Sequence, residues 1–386
     1  MQLIEELMQR YITEQKSAGM LTLVSQKGKI IHLDGCGFRD IESNSAMQID
    51  TLFRIYSMTK AITSVALMTL FEKGEFQLDD PAYRWIPELK TLKVYQADGN
   101  YAELASHITI RQLLTHTAGF SYGFDPDNNA VDKMYGEVWH ELKKDRPLHE
   151  IMALAFELPL LAQPGTLWQY SIATDICGYL VQIMTDMPFG DYLQKTIFDP
   201  LNMSDTGFEV PQAKRQRFAS MYGLGEGKPL TLLESYSNSP FMPSTESGKV
   251  NFHSGGGGLI SSIEDYWQFA QMMLNRGELN GVRILKPETV DNMTRNHVAE
   301  NLQPLSFNGL FPEPVDGYGF GLGYCISLND SDIGNTGDFG WGGMADTYCW
   351  IDPKEQLVGI LMQQFMPSLT HPGRRDFRRA VYQSIR

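Results

Sequence analysis

Apolar and polar positions change period several times along this chain, and each change predicts an element. From Gln2 to about Ser17 the pattern is that of an amphipathic helix, with Glu5 and Glu6 on its polar side. Two strand-like runs follow, Leu21–Ser25 and Lys29–His32, separated by the turn residues Gln26-Lys27-Gly28. From Thr59 to Lys73 apolar residues (Ile62, Val65, Ala66, Leu67, Leu70, Phe71) recur at helical spacing until Gly74 stops the run, which places Ser57 at a helix N-terminus. Between about Phe76 and Ser247 the chain reads as short helices broken repeatedly by proline, with few strand-like alternations. A helix over Ile263–Asn275, one strand each over Tyr318–Ser327, Thr347–Ile351 and Gln356–Gln364, and a last helix over Arg374–Ile385 complete the reading.

The expected fold class is α+β. An antiparallel sheet from residues 1–75 and 248–386 is flanked by the first and last helices, a mostly helical unit from residues 76–247 is inserted, and a cleft lies between the two. Composition keeps the protein globular: 386 residues, 42% hydrophobic and 20% charged. A net charge of −14 repels phosphate backbones and anionic lipid, so no nucleic-acid or membrane partner is expected. No apolar run reaches the roughly 18 residues of a membrane helix, and the N-terminal residues lack the basic start and apolar block of a secretory signal. The expectation is a cytoplasmic protein, as a monomer or homodimer. Cys36, Cys177, Cys325 and Cys349 lie far apart with no zinc-ligand spacing, and none of the eight histidines forms HExxH, so neither metal nor cofactor is expected.

Three segments carry chemistry. In Ser57-Met58-Thr59-Lys60 a hydroxyl and an amine stand at i and i+3, one turn apart on the same helix face. A serine hydroxyl needs an adjacent base to become a nucleophile, and a lysine can serve once burial disfavours its charged form. Tyr170, in Tyr170-Ser171-Ile172, supplies a phenol able to share a proton with that lysine. Gly340-Trp341-Gly342-Gly343-Met344, with strand-like sequence after it, permits close approach of backbone to a ligand. Its Met344 amide, together with the Ser57 amide, would make an oxyanion hole.

Together these segments resemble the β-lactamase-like serine hydrolases: class C β-lactamases, penicillin-binding DD-peptidases and, most closely, family VIII carboxylesterases. The resemblance extends to Leu113–Gly119, Ile197–Met203 and Gly255–Ser261, and so covers nearly the whole chain. It implies that Ser57 is the acylated serine, that Lys60 and Tyr170 are its proton-transfer partners, and that Trp341, Gly342, Gly343 and Ile172 line the substrate. In the β-lactamases the tyrosine motif ends in Asn and the third motif begins with Lys; here those positions hold Ile172 and Trp341. Losing an amide and an ammonium weakens recognition of carboxylate-bearing amides, whereas a tryptophan wall suits uncharged groups. The expected activity is hydrolysis of short to medium uncharged esters through an acyl-enzyme.

Other readings compete. The pattern Gly119-Phe-Ser121-Tyr-Gly123 fits GxSxG, but not between a strand and a helix, where an α/β-hydrolase needs it. Gly340–Ala345 fits a loose dinucleotide pattern, but a strand rather than a helix follows it. A β-lactamase or DD-peptidase activity, acyl transfer to another acceptor, and a covalent sensor that acylates and stalls remain alternatives. His116 is expected to make structural hydrogen bonds. Asp346 is expected either to disfavour anionic substrates or to fix a loop.

Overall fold

The computed structural model describes residues 1–142, 146–225, 227–235, 239, 250–303, 305 and 317–385. The boundary expected at 247/248 lies outside them. The largest sheet has eight strands: β1 (Gly19–Gln26), β2 (Lys29–Asp40), β3 (Ser45–Ala46), β4 (Tyr318–Phe320), β5 (Cys325–Ser327), β6 (Phe339–Gly342), β7 (Tyr348–Asp352) and β8 (Leu357–Met362). They run β4-β5-β6-β7-β8-β1-β2-β3, with antiparallel pairing throughout. The early hairpin is thus joined to the late strands through β1 and β8, where Leu21 pairs with Met362 and Gln26 with Leu357.

Alternation along these strands explains why they need cover on both faces. Met20 and Val24 of β1, with Leu357 and Leu361 of β8, pack against Ile4, Leu7, Met8 and Phe377 from the two terminal helices, α1 (Gln2–Thr13) and α5 (Gly373–Ile385). The alternate residues Leu21, Leu23, Val358 and Ile360 face the main core. Burial of each large aliphatic side chain contributes about 1.5–3 kcal/mol, so a one-residue slip of register would be prohibitive.

On the main-core side lie α2 (Thr59–Glu72), α3 (Ala173–Thr185) and α4 (Ile263–Leu274). Residues Thr59 to Leu70 of α2 are all buried, as befits a helix surrounded by protein. The stretch expected to be mostly helical also contains a hairpin, Met221–Gly225 with Lys228–Glu234, to which Phe365–Met366 adds in parallel. Its turn glycines were legible in the sequence, but the partner strand lies more than a hundred residues away. Among the described residues no helix is long and apolar enough to cross a membrane.

One buried carboxyl makes stability depend on pH. Asp265, in the first turn of α4, accepts hydrogen bonds from Thr206 Oγ1 (2.9 Å) and the Asp205 N–H (2.7 Å). Burial outweighs them and pushes its pKa up to about 6. The folded protein then keeps a proton that the unfolded chain releases near 3.8. Stability is therefore lost as pH rises through that window. Asp265→Asn should remove this loss, narrowing by roughly 2–3 kcal/mol the fall in unfolding free energy between pH 4 and 6.5. Denaturant titrations of both proteins at each pH test it, and parallel pH profiles would refute it.

Candidate active site

The nucleophile candidate sits where a strained turn meets a helix. Tyr56 has φ +40°, a left-handed conformation rare for a non-glycine residue, and Tyr56–Met58 forms one 3-10 turn leading into α2. Neighbours on both sides hold the turn. Tyr266 Oη donates to the Met58 carbonyl (3.0 Å), Thr59 Oγ1 accepts from the Leu259 N–H (3.1 Å), and the Ile55 N–H donates to the Leu259 carbonyl (3.1 Å). Ser57 opens onto a cleft of about 410 Å³ lined also by Tyr170, Phe124, Gly340–Met344 and residues of α5.

Lys60, almost wholly buried beneath the cleft, has its Nζ 3.3 Å from Ser57 Oγ. The same nitrogen donates to the Gly256 carbonyl (2.6 Å) and to the Tyr122 hydroxyl (2.9 Å), and lies 4.5 Å from the Tyr170 ring centroid. Tyr122 in turn donates to Asp175 Oδ2 (3.2 Å). Burial, with the Asp175 charge beside it, pushes the Tyr122 pKa well above its ordinary value, so this phenol keeps its proton. Asp175 Oδ1 accepts from Ser254 Oγ (2.5 Å) and from the Gly256 N–H (3.0 Å). A Cβ at Gly256 would collide with both the Asp175 carboxylate and the Tyr122 hydroxyl, which is why glycine is required there.

These contacts have a chemical consequence. A neutral amine has two N–H groups and one lone pair. With Tyr122 committed as donor to Asp175, its oxygen is an acceptor for Lys60, and Gly256 offers a second acceptor. Both N–H groups of a neutral Lys60 are then used, and the lone pair is left for the Ser57 hydroxyl. Tyr122, Asp175 and Gly256 were not singled out as site residues from the sequence. The signal was present: Tyr122 lies inside the GxSxG pattern weighed for Ser121, and Gly256 inside Gly255–Ser261.

The remaining candidates divide. Tyr170 lines the cleft, and its hydroxyl accepts a hydrogen bond from Trp341 Nε1 (3.2 Å). Trp341, Gly342, Gly343 and Met344 line the cleft at the end of β6. Gly343 is pressed against the Ile55 carbonyl just before the Ser57 turn, where a Cβ would not fit. Among the described residues neither the Ser57 N–H nor the Met344 N–H bonds to another backbone group, which leaves both able to receive an oxyanion. Ile172 corrects the expectation of a substrate contact. It starts α3 with its side chain in the main core, 2% exposed, and does not line the cleft.

Ser121 is fully buried and donates to Asp132, away from the cleft. His116 Nδ1 accepts from the Ser171 N–H (3.2 Å), and burial beside Lys60 drives its pKa well below the ordinary range, so it is a neutral support for the Tyr170 segment. Asp346 fixes a loop: it accepts from Gln363 Nε2 (2.9 Å) and its Oδ1 faces Arg374 Nε at 2.8 Å. The Cys325 thiol at the cleft wall is pushed up to about 12 by burial and is inert as a nucleophile.

The Beta-lactamase family model matches residues 2–383. The chain belongs to that family. It is 35% identical over 372 residues to Protein Rv1367c of Mycobacterium tuberculosis, across 92% of this chain and 87% of that one. It is 28% identical to Esterase EstB of Burkholderia gladioli, across 98% and 94%. Among solved structures, EstCE1, "a hydrolase with promiscuous acyltransferase activity", matches with a TM-score of 0.80 over 99% of this chain and 98% of that one, at 22% identity, a likeness of fold. This member of the β-lactamase family is a serine hydrolase of the α+β penicillin-recognising fold.

Proposed function

We propose that the protein is a carboxylesterase acting on short to medium esters through an acyl-enzyme on Ser57. The observation that carries this reading is the Lys60 environment, in which two fixed acceptors leave the amine's third position facing Ser57 Oγ. Lys60 takes the Ser57 proton as the oxygen attacks the ester carbonyl. The amides of Ser57 and Met344 receive the oxyanion, and Tyr170 passes a proton to the departing alkoxide. Water then releases the acid by the reverse sequence of transfers.

Ester rather than lactam hydrolysis is favoured by the surface beside the carbonyl. Trp341 stands where a β-lactamase has its lysine, and Phe124, Met344 and Leu369 share the wall. The group next to the scissile bond is thus expected to be uncharged, in keeping with the name of EstB. Acyl transfer to an alcohol is a second reading, suggested by the printed description of EstCE1. The partner is a small-molecule ester, and the net charge of −14 argues against nucleic acid.

The test is a series of p-nitrophenyl esters from acetate to laurate, run beside nitrocefin. Turnover should be highest on short and medium chains and at least tenfold lower on nitrocefin, the discrimination expected when one charged contact is missing. Equal turnover of nitrocefin and p-nitrophenyl butyrate would overturn the ester preference, and acylation without turnover would make the protein a sensor.

A further inference from the structure

Arg54, three residues before Ser57, is a fully buried cation. Its Nε donates to Glu234 Oε1 (2.7 Å), at the end of the hairpin Met221–Glu234, and its Nη1 donates to the Ala219 carbonyl (2.6 Å) and to Gln364 Oε1 (3.1 Å). The guanidinium carbon stands 4.0 Å from the centre of the Phe218 ring. Gln364 also holds the Arg54 backbone: its Oε1 accepts from the Arg54 N–H and its Nε2 donates to the Arg54 carbonyl, both at 3.1 Å. Arg54 is thus fixed at side chain and main chain at once. Burying a guanidinium is costly unless it is paired and hydrogen-bonded, so the arrangement depends on Glu234.

The residues that follow give this fixation a use. Phe53 and Arg54 pair with Ser261 and Ile260, Ile55 bonds to Leu259, and Tyr56 comes next with φ +40°. A non-glycine residue in that conformation is strained and persists only where its surroundings over-determine it. The peptide joining Tyr56 to Ser57 carries the Ser57 N–H, so the Tyr56 conformation aims one of the two amides offered to the oxyanion. The Ile55 carbonyl, one residue earlier, packs against Gly343, the neighbour of Met344, which carries the other amide. A shift of this short strand would disturb both donors.

We propose that Arg54 and Glu234 are positioning residues for the oxyanion hole: their buried ion pair holds the strand before Ser57 and keeps Tyr56 from relaxing to an ordinary backbone conformation. This role rests on the reading of Ser57 as the nucleophile and of its amide as an oxyanion donor. Neither side chain touches substrate, and both act through the Tyr56–Ser57 peptide.

Glu234→Gln keeps an oxygen to accept from Arg54 Nε and removes the charge, whereas Arg54→Lys keeps the charge and removes the fork. In the full chain, well below each variant's melting temperature, both should lower kcat on p-nitrophenyl butyrate about ten- to a hundredfold with KM within about twofold, as when an oxyanion donor is misaimed. A purely structural ion pair would lower the melting temperature and leave kcat of the folded enzyme alone. Tyr56→Gly separates the roles further, because glycine adopts positive φ without strain; in that background Glu234→Gln should cost less than about threefold. Tyr56→Asn, which also tolerates positive φ, repeats the comparison with a side chain retained. An unchanged kcat in Glu234→Gln and Arg54→Lys, or the same fold-loss with and without the Tyr56 substitutions, overturns the positioning role. The rate at which a phosphonate labels Ser57, read by intact mass, gives the same comparison without turnover. A wild type that is labelled but does not hydrolyse butyrate would overturn the esterase reading, and the labelling rates would still decide the role of the pair. Absence of label on Ser57 would overturn both.

Discussion

Ser57→Ala is expected to lose ester hydrolysis by about 10⁴-fold or more in kcat, the scale seen when a covalent nucleophile is removed from a unit that acts together. Ser57 is the serine that combines an amine 3.3 Å from its oxygen with a place on the cleft wall. Ser121→Ala is the matched control. Ser121 donates to Asp132 and accepts from the Gly123 N–H (3.1 Å), so its loss should cost about 1–3 kcal/mol of stability while most of kcat survives. Intact-mass measurement after a phosphonate probe should show one adduct in the wild type and Ser121→Ala, and none in Ser57→Ala. An adduct that persists in Ser57→Ala and disappears in Ser121→Ala would transfer the chemistry to the GxSxG serine.

Lys60→Met should lower kcat by about 10²–10⁴ while KM moves much less, because the amine acts on protons rather than on ground-state binding. Methionine keeps the buried volume, so the fold should survive. Tyr122→Phe and Tyr170→Phe divide the work between the two phenols. If Tyr122 orients the lysine by accepting its N–H, removing the hydroxyl frees that N–H to turn toward Ser57, and the loss should be expressed only while Lys60 is present. The double variant Lys60→Met, Tyr122→Phe should then be little worse than Lys60→Met alone. Losses that multiply would make Tyr122 an independent participant. Tyr170→Phe should instead slow substrates with poor leaving groups more than p-nitrophenyl esters, since an activated phenolate hardly needs a proton on departure.

Much of the fold followed from local periodicity. The two-faced burial of β1 and β8 appears in the chain as short apolar runs, and the terminal helices as amphipathic stretches whose ends fall within a few residues of those observed. Departures came where a partner lies far along the chain. The hairpin at Met221–Glu234 was read into a helical segment because its third strand is Phe365–Met366. Tyr318–Ser327 proved to be two strands, since a turn at Gly321–Tyr324 lets it fold back on itself.

The same division runs through the site. By itself the sequence determined that Ser57 and Lys60 meet, because residues three apart on a helix are neighbours whatever surrounds them. It also placed Trp341 and Met344 in one glycine-rich segment. Only the tertiary structure decided what surrounds the Lys60 amine: Tyr122 and Gly256 reach it across 62 and 196 positions, and Asp175 reaches Tyr122 across 53. It likewise sent Ile172 into the core instead of the cleft and brought helix α5 to the cleft wall. Spacing in the chain specifies contacts within one element. Which donor meets which acceptor between elements is set by how the helices and the sheet pack, and that is where the charge and proton chemistry of this protein resides.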